Sequence, residues 1–142
     1  MFQSFFPQPK LFFSSLALWS GVLILVWYSF GKTIGESLGF DLTETETVIG
    51  LGHFITSEFL WFDTFFAFGA LAFFFVWRSR SPHEWQVWSV LGSALLIYLS
   101  YASVQVSVVI NAWYGPFYND IQTALTGDGG ITAGDLYRHF LV

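Results

Sequence analysis

Apolar positions along the chain fall into three long runs separated by short polar stretches. The first is free of charge over residues 11–31, about 21 positions, enough to cross a ~30 Å hydrocarbon core as a helix at ~1.5 Å per residue. Trp19 sits within it, and Trp27 and Tyr28 near its far end, where an aromatic belt is expected. A cleaved signal peptide is the competing reading, since Ser29-Phe30-Gly31 is a small-x-small triplet. The run is longer than a signal core of ~7–15 residues, which favours a retained span. Before it, MFQSFFPQPK suits an amphipathic lead-in at the membrane surface.

The second run carries two acids in its first half. A helix over about 55–77 has the needed length and contains Glu58 and Asp63. A mid-bilayer Asp costs roughly 2.5–3.5 kcal/mol on insertion scales. Glu58 is therefore expected at the headgroups. Asp63 lies about 7.5 Å deeper by helical rise and is expected to face protein or a water-filled cavity. Both can also be interfacial acids without function.

The third run is free of charge from Trp85 to Asn119, with a span placed at about 88–110. Ser81, Pro82, His83 and Glu84 read as its start: Ser81 as cap, Pro82 at the first helical position, and Glu84 returning to the cap nitrogen. Gly115 and Pro116 are expected to end it, leaving Trp113, Tyr114, Phe117 and Tyr118 as an interfacial cluster. A short amphipathic piece follows over 120–126, then a turn at 127–130. A capping box over Thr132–Asp135 starts a further helix near 133. The fold class expected is an all-α membrane protein, with about three transmembrane helices plus the start of a fourth. The chain stops as that helix becomes apolar, as expected of the amino-terminal part of one larger transmembrane domain.

The polar stretch 32–47 holds Glu36, Asp41, Glu44 and Glu46. Gly31, Gly35 and Gly39 recur at spacing four. Such a repeat can be a helix-packing face, but beyond the apolar run it is read as loop flexibility. Lys10 precedes the first span, and Arg78 and Arg80 follow the second, so the positive-inside bias places the amino terminus in the cytoplasm. Residues 31–54 and 112–136 are then outside, and 78–84 inside.

Composition narrows the chemistry. Only 11% of the 142 residues are charged and 22% are aromatic, against about 25% charged in ordinary soluble domains. A net charge of −5 with five Lys and Arg offers no basic surface to nucleic acid. Without cysteine there is no disulfide framework, thiol nucleophile or cysteine zinc site. His83-Glu84-Trp85-Gln86-Val87 begins like HExxH but lacks the second histidine, so no metal site follows. His53, His83 and His139 are far apart and read as interfacial or structural. No catalytic grouping stands out, so no enzyme and no cofactor is expected. In the third span Ser100, Ser103 and Ser107 share a face, with Gln105 deep and Asn111 near the end. Helix packing is the simplest use of this face, with hydrogen bonds of ~0.6–2 kcal/mol. The wall of a water path is the functional one, and it needs further helices.

Three longer motifs carry a resemblance. They are residues 1–7 (MFQSFFP), 81–92 (SPHEWQVWSVLG) and 111–125 (NAWYGPFYNDIQTAL), including Ser81, Pro82, His83, Trp85, Trp113, Tyr114, Gly115 and Pro116. The chain resembles the SbmA/BacA family of bacterial inner-membrane peptide transporters throughout its length, least so over 32–56. Its opening is similar to the rhizobial BacA branch. The resemblance implies a longer homodimeric protein whose core is similar to the membrane domain of ABC exporters, without a nucleotide-binding domain. It also implies proton-driven import of peptides, including antimicrobial ones. In rhizobia it implies support of bacteroid survival in symbiosis and an effect on very-long-chain fatty acids of lipid A. The resemblance further implies that the family's proton-coupling acids lie mostly beyond residue 142. Glu58, Asp63, Gln105 and Asn111 are the candidates here for a proton or transport path. A small membrane assembly or regulatory subunit is the alternative function.

Overall fold

The computed structural model describes residues 6, 8–43, 48–126 and 133–138. Among them there is no strand. Helix α1 spans Pro9–Ser37, α2 Ser57–Arg80, α3 Ser93–Thr126 and α4 Ala133–Arg138. A 3-10 turn, Leu51–Ile55, precedes α2, and a π-helical turn, Val87–Gly92, leads into α3. Pro9–Ser37, Ser57–Arg80 and Val87–Thr126 are each long and apolar enough to cross a membrane. The protein is a multi-pass membrane protein, and its exposed apolar side chains, such as Leu18, Phe68, Leu96 and Val104, are suited to lipid rather than water.

The residues group into two compact units. Residues 1–44 and 57–100 form the first, 45–56 and 101–142 the second. In the first unit α1 and α2 run antiparallel, joined by three indole hydrogen bonds. Trp61 donates Nε1–H to the Gly31 carbonyl at 3.0 Å, Trp19 to the Gly69 carbonyl at 3.0 Å, and Trp77 to Ser15 Oγ at 3.0 Å. An indole N–H buried in an apolar bundle needs such an acceptor. The glycines expose these carbonyls because no side chain covers them. Phe12, Phe73, Phe74, Trp77 and Val90 form the buried core beside this seam, with Phe12 edge-on to Phe73 at 5.6 Å and tilted on Trp77 at 5.2 Å.

Helix α1 does not stop at Gly31 as expected. It continues for six residues, carrying an exposed Lys32–Glu36 pair at 3.8 Å. It closes in a Schellman motif. Gly39 has φ 93, Phe40 N–H bonds the Gly35 carbonyl at 3.0 Å, and Gly39 N–H bonds the Glu36 carbonyl at 3.1 Å. The loop-flexibility reading of Gly31, Gly35 and Gly39 is thereby corrected. Gly31 and Gly35 are buried on the helix, and a Cβ on Gly35 would stand 2.9 Å from Trp61 Nε1. Gly39 supplies the left-handed residue of the helix stop. Beyond it Thr43 donates to Asp41 from both its N–H and its hydroxyl, holding that carboxyl below its ordinary value.

The start of the third membrane helix also differs from expectation. Ser81 ends α2, its N–H bonding the Trp77 carbonyl at 2.9 Å. The local cap belongs to His83, whose Nδ1 accepts from the Trp85 N–H at 3.2 Å. Residues 82 and 83 stay outside any helix, so Pro82 and Glu84 do not act as first-turn residues. Ser89 and Val90 on the π turn are buried against the first unit's core. Gln86 is fully buried there, and neither of its amide atoms has a hydrogen-bond partner among the described residues.

Gly115 and Pro116 do not end α3, which runs on to Thr126 with Pro116 in its interior. Proline removes only the bond that its own nitrogen would make to the Ala112 carbonyl. Around this gap the helix holds aromatic pairs four residues apart, the first stacked and the second tilted. Trp113 lies on Phe117 at 4.7 Å and Tyr114 on Tyr118 at 5.7 Å. Such i,i+4 pairs form only on helix and stabilise it. The expected separate piece at 120–126 is therefore the end of α3. Its 34 residues make about 51 Å of helix, more than the ~30 Å hydrocarbon thickness, so α3 extends past the membrane. Helix α4 begins at Ala133. The opening motif except Phe6, the turn at 127–130, and Thr132 of the capping box lie outside the described residues, as do Glu44, Glu46 and His139.

Candidate functional site

The acids of the second span separate clearly. Glu58 is exposed in the first turn of α2. Asp63 is five residues on, so about 140° round the helix. Asp63 turns into the first unit, where Tyr98 donates its hydroxyl proton to Asp63 Oδ2 at 3.1 Å. Asp63 Oδ1 is buried and has no hydrogen-bond partner among the described residues. Phe66, one turn later on α2, lies 5.9 Å from the Tyr98 ring and covers the pair on that side. The site is thus a carboxyl group on an apolar span, tethered by one oxygen, with the other buried and without a hydrogen-bond partner among the described residues.

Tyr98 was not legible as a site residue. Nothing in the spacing of 63 and 98 joins them. The one signal was that an acid deep in a span needs a hydroxyl or amide partner, and Tyr98 is the first side chain with such a long reach in the third span.

In the second unit, Gln105 is half-buried on α3 and its Oε1 lies 3.1 Å from His53 Nε2. A carbonyl oxygen accepts, so His53 carries its ring proton on Nε2. The 3-10 turn presents this ring, with Gly50 at φ 89 setting the preceding bend. Phe54 packs edge-on to His53 at 5.6 Å. Asn111 is exposed. Ser100 and Ser107 are exposed as well, and their hydroxyls return to their own helix, to the carbonyls of Leu96 at 2.9 Å and Ser103 at 3.1 Å.

Residues 82–142 match the model of the SbmA/BacA-like family. Over these residues the chain is similar to the SbmA/BacA-like family. This is a family of membrane transporters. The SbmA/BacA-like stretch opens at Pro82, takes in His83, Trp85 and the π turn, and contains Tyr98, Gln105, Asn111 and the Trp113–Pro116 segment. Asp63 precedes it in sequence and is tied to it by the Tyr98 hydrogen bond.

Proposed function

We propose that this SbmA/BacA-like chain takes part in proton-driven import of peptides, including antimicrobial peptides, across the bacterial inner membrane. The family match supports membrane transport of peptides in general. The observation that carries the proton-driven reading is the Asp63 carboxyl, tethered to Tyr98 through Oδ2 and without a hydrogen-bond partner at Oδ1 among the described residues. A charged carboxylate in a span is costly. A group that can hold a proton on one oxygen while the other stays anchored can take up and release that proton without losing its position. Intramembrane acids arranged in this way are proton-relay candidates. Glu58, exposed at the start of the same helix, is a further candidate for a proton or transport path, as are Gln105 and Asn111.

The working unit in this proposal is a homodimer with a membrane core similar to that of ABC exporters. Its amino terminus is cytoplasmic, in keeping with Lys10, Arg78 and Arg80 at one end of the antiparallel pair α1–α2. The opening motif favours the rhizobial branch, with a role in bacteroid development. The test is uptake of a labelled proline-rich peptide by cells carrying the full-length gene. Uptake that collapses when an uncoupler removes the proton gradient is expected. Uptake that persists under the uncoupler, or no uptake above the gene-less control, would overturn the proposal.

A further inference from the structure

A groove of about 630 Å³ runs along the first unit between α1 and α2. Its walls change character from one end to the other. At the end where α1 begins and α2 finishes lie Gln8, Arg80 and Ser81, all polar. Deeper in lie Leu18, Val22 and Phe73, all apolar. The groove wall from Gln8 to Val22 spans 14 residue steps, about 21 Å at the helical rise. One leaflet of a ~30 Å hydrocarbon core is about 15 Å deep. The groove therefore has the length of one leaflet plus a headgroup.

Among the described residues Arg80 has no carboxylate partner. It is exposed at the end of α2, at the depth where interfacial Arg side chains meet headgroups. The guanidinium fork binds phosphate through two parallel hydrogen bonds. Ser81 and Gln8 line the same end of the groove and carry further hydrogen-bond donors. A protein helix would need a carboxylate at this height to answer the Arg80 charge. A phospholipid brings an anion to the polar end and a hydrocarbon chain to the apolar one.

We propose that this groove binds an anionic phospholipid of the bilayer. Its phosphate sits on Arg80 and one acyl chain lies along Leu18, Val22 and Phe73. The site is separate from the Asp63–Tyr98 pair, shares no residue with it, and does not depend on the transport proposal.

The experiment is native mass spectrometry of the delipidated full-length protein, offered equal amounts of dioleoyl phosphatidylglycerol and dioleoyl phosphatidylcholine. One basic side chain near a headgroup favours the anionic lipid by about fivefold. The wild type is expected to retain phosphatidylglycerol at least about fivefold over phosphatidylcholine. Arg80→Gln should bring the two close to parity, and Arg80→Lys should keep the preference. Lys32→Gln, at the other end of α1, should leave it unchanged. Equal retention of the two lipids by the wild type would overturn the proposal. So would a preference unaltered in Arg80→Gln, or no retained lipid because a second copy or another helix fills the groove.

Discussion

Trp61 on α2 donates its indole N–H to the carbonyl of Gly31 on α1, 3.0 Å away. Trp19 on α1 returns the same kind of bond to Gly69 on α2. The two helices thus hold each other through reciprocal indole-to-glycine contacts. In each, a bulky donor meets a backbone acceptor that only a residue without a side chain leaves open. The contact also fixes the rotation of α2, and with it the direction in which Asp63 points, two residues after Trp61.

Gly35 is the most constrained position of this seam. A methyl group there would stand 2.9 Å from Trp61 Nε1 and 3.0 Å from its Cδ1. The indole cannot retreat without giving up Gly31. Gly35→Ala is expected to destabilise the protein by about 1–3 kcal/mol, read as an earlier thermal transition in detergent. Gly69→Ala meets only the tip of Leu23, at 2.7 Å, a flexible side chain that can turn away. It should cost less than Gly35→Ala, and the reverse order would refute this packing.

Gln86 is the converse case. It is fully buried with an amide that bonds nothing among the described residues. An unsatisfied buried polar group costs about 1–3 kcal/mol. Gln86→Met keeps the length and removes the amide. The thermal transition should therefore move upward. A downward move would show that the amide has a partner in the assembled transporter.

His53 clips the 3-10 turn to α3 through Gln105. Removing the acceptor by Gln105→Leu should loosen Leu51–Ile55. A net hydrogen bond of about 1 kcal/mol corresponds to roughly fivefold faster amide exchange if the turn opens locally. Exchange unchanged in that segment would show that the turn is held by other contacts.

Pro116 interrupts the hydrogen-bond ladder of α3 without ending it. Pro116→Ala restores the bond to Ala112 and should stabilise α3, by up to about 3 kcal/mol. The Trp113–Phe117 and Tyr114–Tyr118 pairs should remain. Cysteine accessibility at position 118 should thus match the parent protein. A changed pattern would mean that proline shapes the path of this segment.

The membrane class and the three spans were legible in the sequence because they depend on the length and continuity of apolar runs. Helix ends were less so. Gly31 closes the uncharged run, yet α1 continues past it and buries Gly35 against Trp61. Gly115-Pro116 was read as a stop because proline's local cost is visible in sequence, whereas the stacking of Trp113 on Phe117 is not. Ser81 was assigned a cap that His83 provides. At the site, the expectation that Asp63 faces protein followed from the cost of an acid in lipid. Its partner Tyr98 lies 35 residues away on another helix, a distance that no local pattern encodes. The pairing of His53 with Gln105, 52 residues apart, was hidden for the same reason.

The central claim is that Asp63 carries a proton during transport. Its most direct test is peptide uptake by the full-length protein reconstituted in vesicles under an imposed proton gradient, wild type against Asp63→Asn. Asparagine keeps the size of the side chain and can still accept from Tyr98 but cannot take up a proton. The account predicts that Asp63→Asn protein, inserted at equal levels and still binding peptide, loses gradient-driven uptake. Gradient-driven uptake at the wild-type rate would contradict it.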